Sequence, residues 1–266
     1  MKKYLYYLKS IFSLITGIRE WFLVIRIFLR LPVKGTPMVT LRKTGVRFQV
    51  RGAKDIWSIK ETFLDEFYRR YGTEIGDGWS IIDIGAGIGE FPLYTLQGHP
   101  TNIVYAFEPF PESFDFLQTN VKLNNAPSIK GYREAIGAES GTLTLNLMGD
   151  PLQISTEIKS SSQETVTVPS LSLKDAFQSL RLHHCNLLKL DCEGAEYPIL
   201  FNAPAAVFDS IDNIVMEYHD GVQAHDHHQL AEFLESKGFS VKTYRNFVHA
   251  QLGYLYAFKE AHLQSL

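Results

Sequence analysis

From about residue 79 to residue 258 the chain repeats one pattern: a short apolar run, a tight turn, then a stretch with helical spacing. Apolar runs cover 79–84, 103–107, 129–136, 186–190 and 214–218. Helical periodicity falls at 91–97, 112–124, 173–180, 197–202 and 229–237. Alternation of this kind predicts parallel strands covered by helices on both faces. Two further runs, 143–147 and 166–168, read as strands around a polar segment, 155–164. The last two, 239–244 and 252–258, read as an antiparallel pair. The expected fold class is therefore α/β, a doubly wound and mostly parallel sheet with a C-terminal antiparallel strand pair and an N-terminal helix. In such sheets ligands bind beyond the carboxyl ends of the strands, near the point where strand order reverses. Chemistry is expected in the residues just after each run.

The first run ends in Asp83-Ile84-Gly85-Ala86-Gly87-Ile88-Gly89-Glu90. Glycines at 85, 87 and 89 allow a sharp bend and a close approach of backbone to a ligand. A dinucleotide loop, G-x-G-x-x-G, would need a third glycine at 90, where this chain has Glu90. The acid two residues before the first glycine instead makes the stretch resemble motif I of the class I methyltransferases, which use S-adenosyl-L-methionine. That cofactor carries an ammonium and a sulfonium and no pyrophosphate, so an acid near the turn is electrostatically sensible. A nicotinamide oxidoreductase is the competing enzyme class; it would want the missing glycine and a Tyr-x-x-x-Lys pair, and the spacing from Tyr68 ends at Gly72. A cofactor-binding module without catalysis is the third reading.

Glu108 comes after the second run, nineteen residues beyond Gly89, with Pro109 and Pro111 turning the chain into the next helix. A carboxylate there has the lone pairs to accept both ribose hydroxyls. After the third run come Glu134 and Ala135. In a methyltransferase of this class that loop flanks the adenine, Glu134 accepting from the exocyclic amine and Ala135 donating through its backbone amide. After the fourth run comes Lys189-Leu190-Asp191-Cys192-Glu193-Gly194-Ala195-Glu196. This octapeptide resembles the Lys-x-Asp-x-Glu-Gly-x-Glu signature of the FkbM family of methyltransferases. Phe107-Glu108-Pro109, Ala135-Ile136-Gly137 and Glu217-Tyr218-His219 match the same family, and the resemblance runs from about Phe48 to His219. It implies O-methyl transfer to a small-molecule or glycan acceptor, such as a sugar, glycolipid or secondary-metabolite hydroxyl. Asp191 is the first candidate for base or metal ligand, with Glu193 and Glu217 beside it and His219 as the group that titrates near neutral pH. Such carboxylates could equally hold Mg2+. For Glu193 and Glu196 the alternative is an acidic first helical turn favoured by the dipole.

Composition narrows the partners. Apolar residues make up 45% and charged residues 21%, as in ordinary globular chains. Residues 1–34 carry seven basic side chains and Glu20 alone, a net +6 against −3 for the whole chain, which leaves −9 for the remainder. An acidic body argues against nucleic acid, and a basic head allows contact with an anionic surface. The chain divides on this reading into a basic helical segment, 1–34, and a catalytic domain, 35–266. Lys9, Arg19, Glu20, Arg26 and Arg30 interrupt the apolar runs of the head well before the roughly eighteen residues of a spanning helix. No small-residue cleavage site marks a signal peptide. Arg19, Arg26 and Arg30 would share one face of a single helix. That helix either lies on a membrane through residues 1–31 or packs on the domain or on a second copy of the chain. Two cysteines, Cys185 and Cys192, suggest reduced thiols rather than a disulfide framework, hence a cytoplasmic protein; where the head lies on a membrane rather than on protein, the contact is peripheral and on the inner face. His219, His225, His227 and His228 read as part of a loop over the site rather than a metal cluster. The acceptor pocket is expected from the loops 150–165 and 219–228.

Overall fold

A computed structural model describes residues 2–147, 164–222, 224–246, 249 and 251–260. Two helices, α1 (Lys2–Gly17) and α2 (Trp21–Phe28), precede a small antiparallel hairpin, β1 (Met38–Thr40) and β2 (Arg47–Gln49). The basic head is therefore two helices, and Arg19 and Arg30 lie outside both, so the three arginines do not form one helical stripe. The reason is visible in the backbone. Ile18 bridges to Leu41, and Glu20 accepts from the Thr40 amide and hydroxyl, which ties the chain between the helices to the hairpin.

Apolar residues at 59, 63, 64, 67, 68 and 71 have the spacing of one helix over 58–71, but the segment belongs to three pieces: α3 (Ala53–Ile59), a π-helical turn (Lys60–Leu64) and α4 (Phe67–Arg70). Glu66 adopts a left-handed conformation, φ +51°, which breaks the run. Lys60 is wholly buried, and its ammonium lies over the Trp57 and Tyr6 rings at 4.6 and 4.9 Å and pairs with Asp65. A buried cation is tolerated when it is paired and faces aromatic rings.

The chain continues as β3 (Ser80–Ile84), α5 (Glu90–Thr95), β4 (Ile103–Phe107), α6 (Pro111–Leu123), β5 (Ile129–Tyr132), β6 (Ala135–Gly137), β7 (Gly141–Leu147), β8 (Glu164–Ser172) and α7 (Leu173–Ser179). It ends with β9 (Cys185–Leu190), α8 (Glu196–Phe201), α9 (Ala205–Asp209), β10 (Ile211–His219), α10 (His227–Ser236), β11 (Ser240–Arg245) and β12 (Leu252–Phe258). Seven strands form one sheet in the order β11-β12-β10-β9-β3-β4-β5. From β10 to β5 every neighbour is parallel, and β12 runs antiparallel between β10 and β11. The doubly wound fold and its C-terminal antiparallel pair are as the sequence pattern predicts. Strand order reverses between β3 and β9, and that places the switch point at the glycine loop and at Asp191.

The expected strand 129–136 is two strands in different sheets. β5 pairs with β4 as far as Tyr132, opposite Phe107, and the chain then leaves for a three-stranded sheet, β6-β8-β7. Much of the polar segment between β7 and β8, including most of the expected acceptor loop 150–165, lies outside the described residues.

Strand period gives the seven-stranded sheet an apolar core on each face. Ile82, Ile84, Leu188, Leu190, Ile214 and Met216 pack against α7 to α10 on one face. Ile81, Val104, Ala106, Leu187 and Val215 point the other way. There they meet Phe91 and Leu117, the hairpin residues Val39, Leu41 and Phe48, and Leu14, Ile18 and Val24 from α1, α2 and the link between them. Successive residues face opposite sides of a strand, so runs apolar at every position are what a sheet covered twice requires.

Candidate active site

At the carboxyl ends of β3, β4, β9 and β10 lies a cavity of about 1080 Å³. Its walls are the glycine loop (Gly85, Gly87, Glu90), the β4 end (Phe107, Glu108, Pro109), the β9 end (Asp191, Cys192, Glu193, Ala195) and the β10 end (Glu217, His219, Asp220). Ala135, Ile136, Leu143 and Leu145 close one side, and Phe28, Lys54, Trp57, Ser58 and Glu61 close another.

The loop is built by close backbone contact. Gly85 has φ +77°, and a Cβ there would sit 1.9 Å from the Asp191 carbonyl oxygen. Only glycine fits both the left-handed backbone and that approach. The Gly85 and Ala86 amides donate to the Phe107 carbonyl, and the Asp191 amide donates to the Ile84 carbonyl. Glu108 joins the neighbouring strand to the same loop. One carboxylate oxygen accepts from the Gly87 amide at 2.8 Å and the other from the Phe110 amide at 2.9 Å. Burial pushes its carboxyl up to about 7 against the opposing pull of those two amides. The acid expected to grip a ribose thus stands directly beside the bend expected to admit it.

The remaining candidates divide. Asp83 is wholly buried and pairs with Lys189 at 2.9 Å. It does not line the cavity, contrary to the expectation of a carboxylate aimed into the loop. The Lys189 ammonium also donates to the Gly85 carbonyl at 2.8 Å. Burial alone would lower the lysine, but Asp83, Asp191 and Glu90 outweigh it and hold it charged. Asp83 and Lys189 therefore form a joint beneath the loop that ties β9 to β3. Ala86 is buried in the core, and a Cβ on Gly89 would meet the Leu117 side chain, so both belong to packing rather than to the cavity wall. Glu134 is not among the lining residues either, whereas Ala135 is. The turn between β5 and β6 leaves Glu134 aside.

The acidic wall gathers every residue proposed for catalysis. Ligand atoms of Asp191, Glu217 and His219 lie within 4.8 Å of one another. Glu217 is held well above the ordinary carboxylate range by burial and by the Asp191 charge. Glu193, in a left-handed conformation at φ +54°, is pushed up to about 7, chiefly by burial. His219 faces a carboxylate at each ring nitrogen, Glu196 at 3.2 Å and Glu193 at 3.3 Å. Burial alone would lower it, but Glu196, Asp191 and Glu193 raise it to about 10. It is therefore a cation near neutral pH and not the free imidazole that a neutral base would require. Glu196 folds back onto the Cys192 amide in the first turn of α8, as an acid at a helix start does.

Three groups at or beside this wall carry little or no signal in the sequence. Glu61, on the π turn, lines the cavity, accepts from the Trp57 indole at 2.8 Å and is raised to about 7 by burial. Glu90 lines it beside Gly87, accepts from the Ser58 hydroxyl and is likewise raised to about 7 by burial. Tyr68 donates to Asp191 at 3.1 Å. Glu61 and Tyr68 come from outside the strand ends, and only Glu90, at a helix start after a glycine loop, stands at a position that marks it. The histidine-rich stretch serves the fold around the site. His227 stacks on Tyr218 and bonds Asp220, Asp226 caps α10 with a reciprocal box, and His225 packs on Phe201.

Known proteins share this outline. A family model described as "Methyltransferase FkbM domain" matches residues 83–241. "Methyltransferase 1" of Beauveria bassiana is 32% identical over 206 residues, covering 70% of this chain and 81% of that protein. The "31-O-demethyl-FK506 methyltransferase FkbM" of Streptomyces tacrolimicus is 27% identical over 191 residues, covering 60% and 73%. The crystal structure of a methyltransferase FkbM from Methylobacillus flagellatus KT shares the fold, with a TM-score of 0.51 at 14% identity over 77% of this chain and 54% of that one.

Proposed function

The chain belongs to the FkbM methyltransferase family, and from that premise we propose that it methylates a hydroxyl oxygen of a small-molecule or glycan acceptor. As a member it is an S-adenosyl-L-methionine-dependent methyltransferase. The finer reading rests on one observation: Asp191 shares a single cavity with the glycine loop and Glu108, and its own carbonyl fills the space a Gly85 side chain would need. The relative from Streptomyces tacrolimicus, whose name specifies a 31-O position, supports oxygen as the acceptor atom.

The residues fit the cofactor. Gly85 and Gly87 open the bend, Glu108 would hold the ribose hydroxyls, and Ala135 and Pro109 would flank the base. Glu90 lines the cavity beside Gly87 and, when ionised, would favour the cofactor's cationic groups. When bound, the cofactor supplies an electrophilic methyl group. The acceptor hydroxyl is a poor nucleophile, so its alignment and the removal of its proton fall to this chain. The Asp191 backbone abuts Gly85 and its carboxylate accepts from Tyr68, and we assign it the proton. Glu217 beside it binds protons well above the usual range and shares that role. Glu193 and His219 hold the charge of the wall in balance.

Mg2+ fits this set poorly. A hard cation takes oxygen donors, whereas one of the three convergent groups is an imidazole already held by two carboxylates. No step is assigned to a metal.

Asp191→Asn tests the assignment. We expect methyl transfer to a hydroxylated acceptor panel to fall by roughly 10²–10⁴-fold, the span of a positioned base, while calorimetric affinity for S-adenosylhomocysteine stays within a few-fold. Unchanged turnover in this variant would remove Asp191 from the proton path. Tight NAD binding without S-adenosylhomocysteine binding would overturn the cofactor assignment itself.

A further inference from the structure

The N-terminal helices use only part of their apolar surface in the fold. Leu14, Ile18 and Val24 are buried in the core, yet Phe12 is 70% exposed, Leu8 65%, Leu29 64% and Phe22 63%. Ile11 and Phe28 are also exposed. Isolated exposed apolar residues are ordinary, but a set of this size on two packed helices marks an interaction surface. Exposed basic residues stand among them: Lys9, Arg19, Arg26 and Arg30. The acid of the segment, Glu20, is turned inward onto Thr40.

We infer that α1 and α2 lie on an anionic lipid surface, apolar side chains in the headgroup boundary and basic ones against the phosphates. Among the described residues no helix is long and apolar enough to cross a membrane. Apolar bulk flanked by cations is the pattern of a helix that rests in the interface. Charge decides against a second copy of the chain as the occupant. A two-fold contact would set the same basic patch against itself, whereas anionic headgroups complement it.

The surface adjoins the active site. Phe28 belongs to both the exposed set and the cavity wall, and Trp57, also in that wall, packs on Tyr6 and Tyr7 of α1. Docking would bring the mouth of the cavity to the lipid, where an acceptor carried on a lipid anchor could enter. That consequence rests on the methyl-transfer reading, but lipid binding is measured without turnover, so the two can fail separately.

Flotation of the full chain with phosphatidylcholine vesicles, with and without phosphatidylglycerol, is the test. Phe12→Ser combined with Phe22→Ser removes apolar bulk, and Lys9→Glu combined with Arg30→Glu removes charge. All four positions are exposed, and retained S-adenosylhomocysteine affinity certifies the fold. The expected result is flotation with phosphatidylglycerol vesicles that falls about ten-fold or more in each pair. Absence of flotation in the unaltered chain, or flotation that neither pair weakens, would overturn the inference. So would a dimer in light scattering that the Phe12 and Phe22 changes dissociate while vesicles are ignored.

Discussion

Gly85 and Glu108 build one corner of the cavity, Glu108 accepting from the Gly87 amide beside the Gly85 bend. Each was legible because its signal is local: a glycine in a bend, and an acid directly after an apolar run. Two glycines separate the physical causes. Gly35 and Gly85 both have positive φ, +66° and +77°, but a Cβ at Gly35 meets nothing within 4 Å while one at Gly85 meets the Asp191 carbonyl. Gly35→Ala should cost only left-handed strain, about 1–2 kcal/mol. Gly85→Ala should cost clearly more in urea unfolding and should weaken S-adenosylhomocysteine binding. Equal costs would mean that the close approach of β3 and β9 is unimportant. Asp83 shows the limit of such reading. Its place ahead of the glycine loop is as expected, but its partner, Lys189, is 106 positions away in the chain and takes the carboxylate out of the cavity. His219 is similar: its residue type suggested a neutral base, and Glu193 and Glu196 make it a cation.

Among elements, the segment from α3 to α4 departs most from its sequence pattern. Apolar spacing over 58–71 is helical, but the π turn and the left-handed Glu66 re-aim the side chains within and beyond them. Single-turn π segments recur at functional sites because they change which side chains face a ligand. Here the outcome is Glu61 in the cavity wall and the Tyr68 hydroxyl on Asp191. A hydrogen bond to a charged group contributes about 1.5–3 kcal/mol. Tyr68→Phe should therefore lower the unfolding midpoint and lower kcat/KM by about ten-fold or more, while S-adenosylhomocysteine affinity stays near that of the unaltered protein. An equal loss of affinity would assign Tyr68 to cofactor packing instead. The split of 129–136 into β5 and β6 has a comparable cause. β4 offers partners only as far as Phe107, and the next residues pair with β8 instead. No local composition announces where a neighbouring strand stops.

For the molecule as a whole, the charge of the cavity has a consequence for stability. Glu61, Glu90, Glu108 and Glu193 all sit at about 7, each chiefly because of burial. An unfolded glutamate titrates near 4.3, so between the two values the folded state binds more protons than the unfolded one. Their contribution is full below the unfolded value and is lost as pH rises through 7. The ligand-free protein should accordingly unfold at a lower temperature at pH 8 than at pH 5.5, other conditions equal. A midpoint that rises over this window would contradict the buried, protonatable wall.

By itself the sequence determined the strand–helix alternation, the doubly wound sheet, the glycine loop and the acids that end β4 and β9. Periodicity, turn chemistry and strand-end position are properties of neighbouring residues, so they can be read along the chain. Only the tertiary structure decided that Asp83 pairs with Lys189, that His219 is clasped by two carboxylates, and that Glu61 and Tyr68 join the site. Those facts depend on groups far apart in the chain meeting in a low-dielectric space, where burial and a partner's charge set what each group is, and no local pattern encodes either.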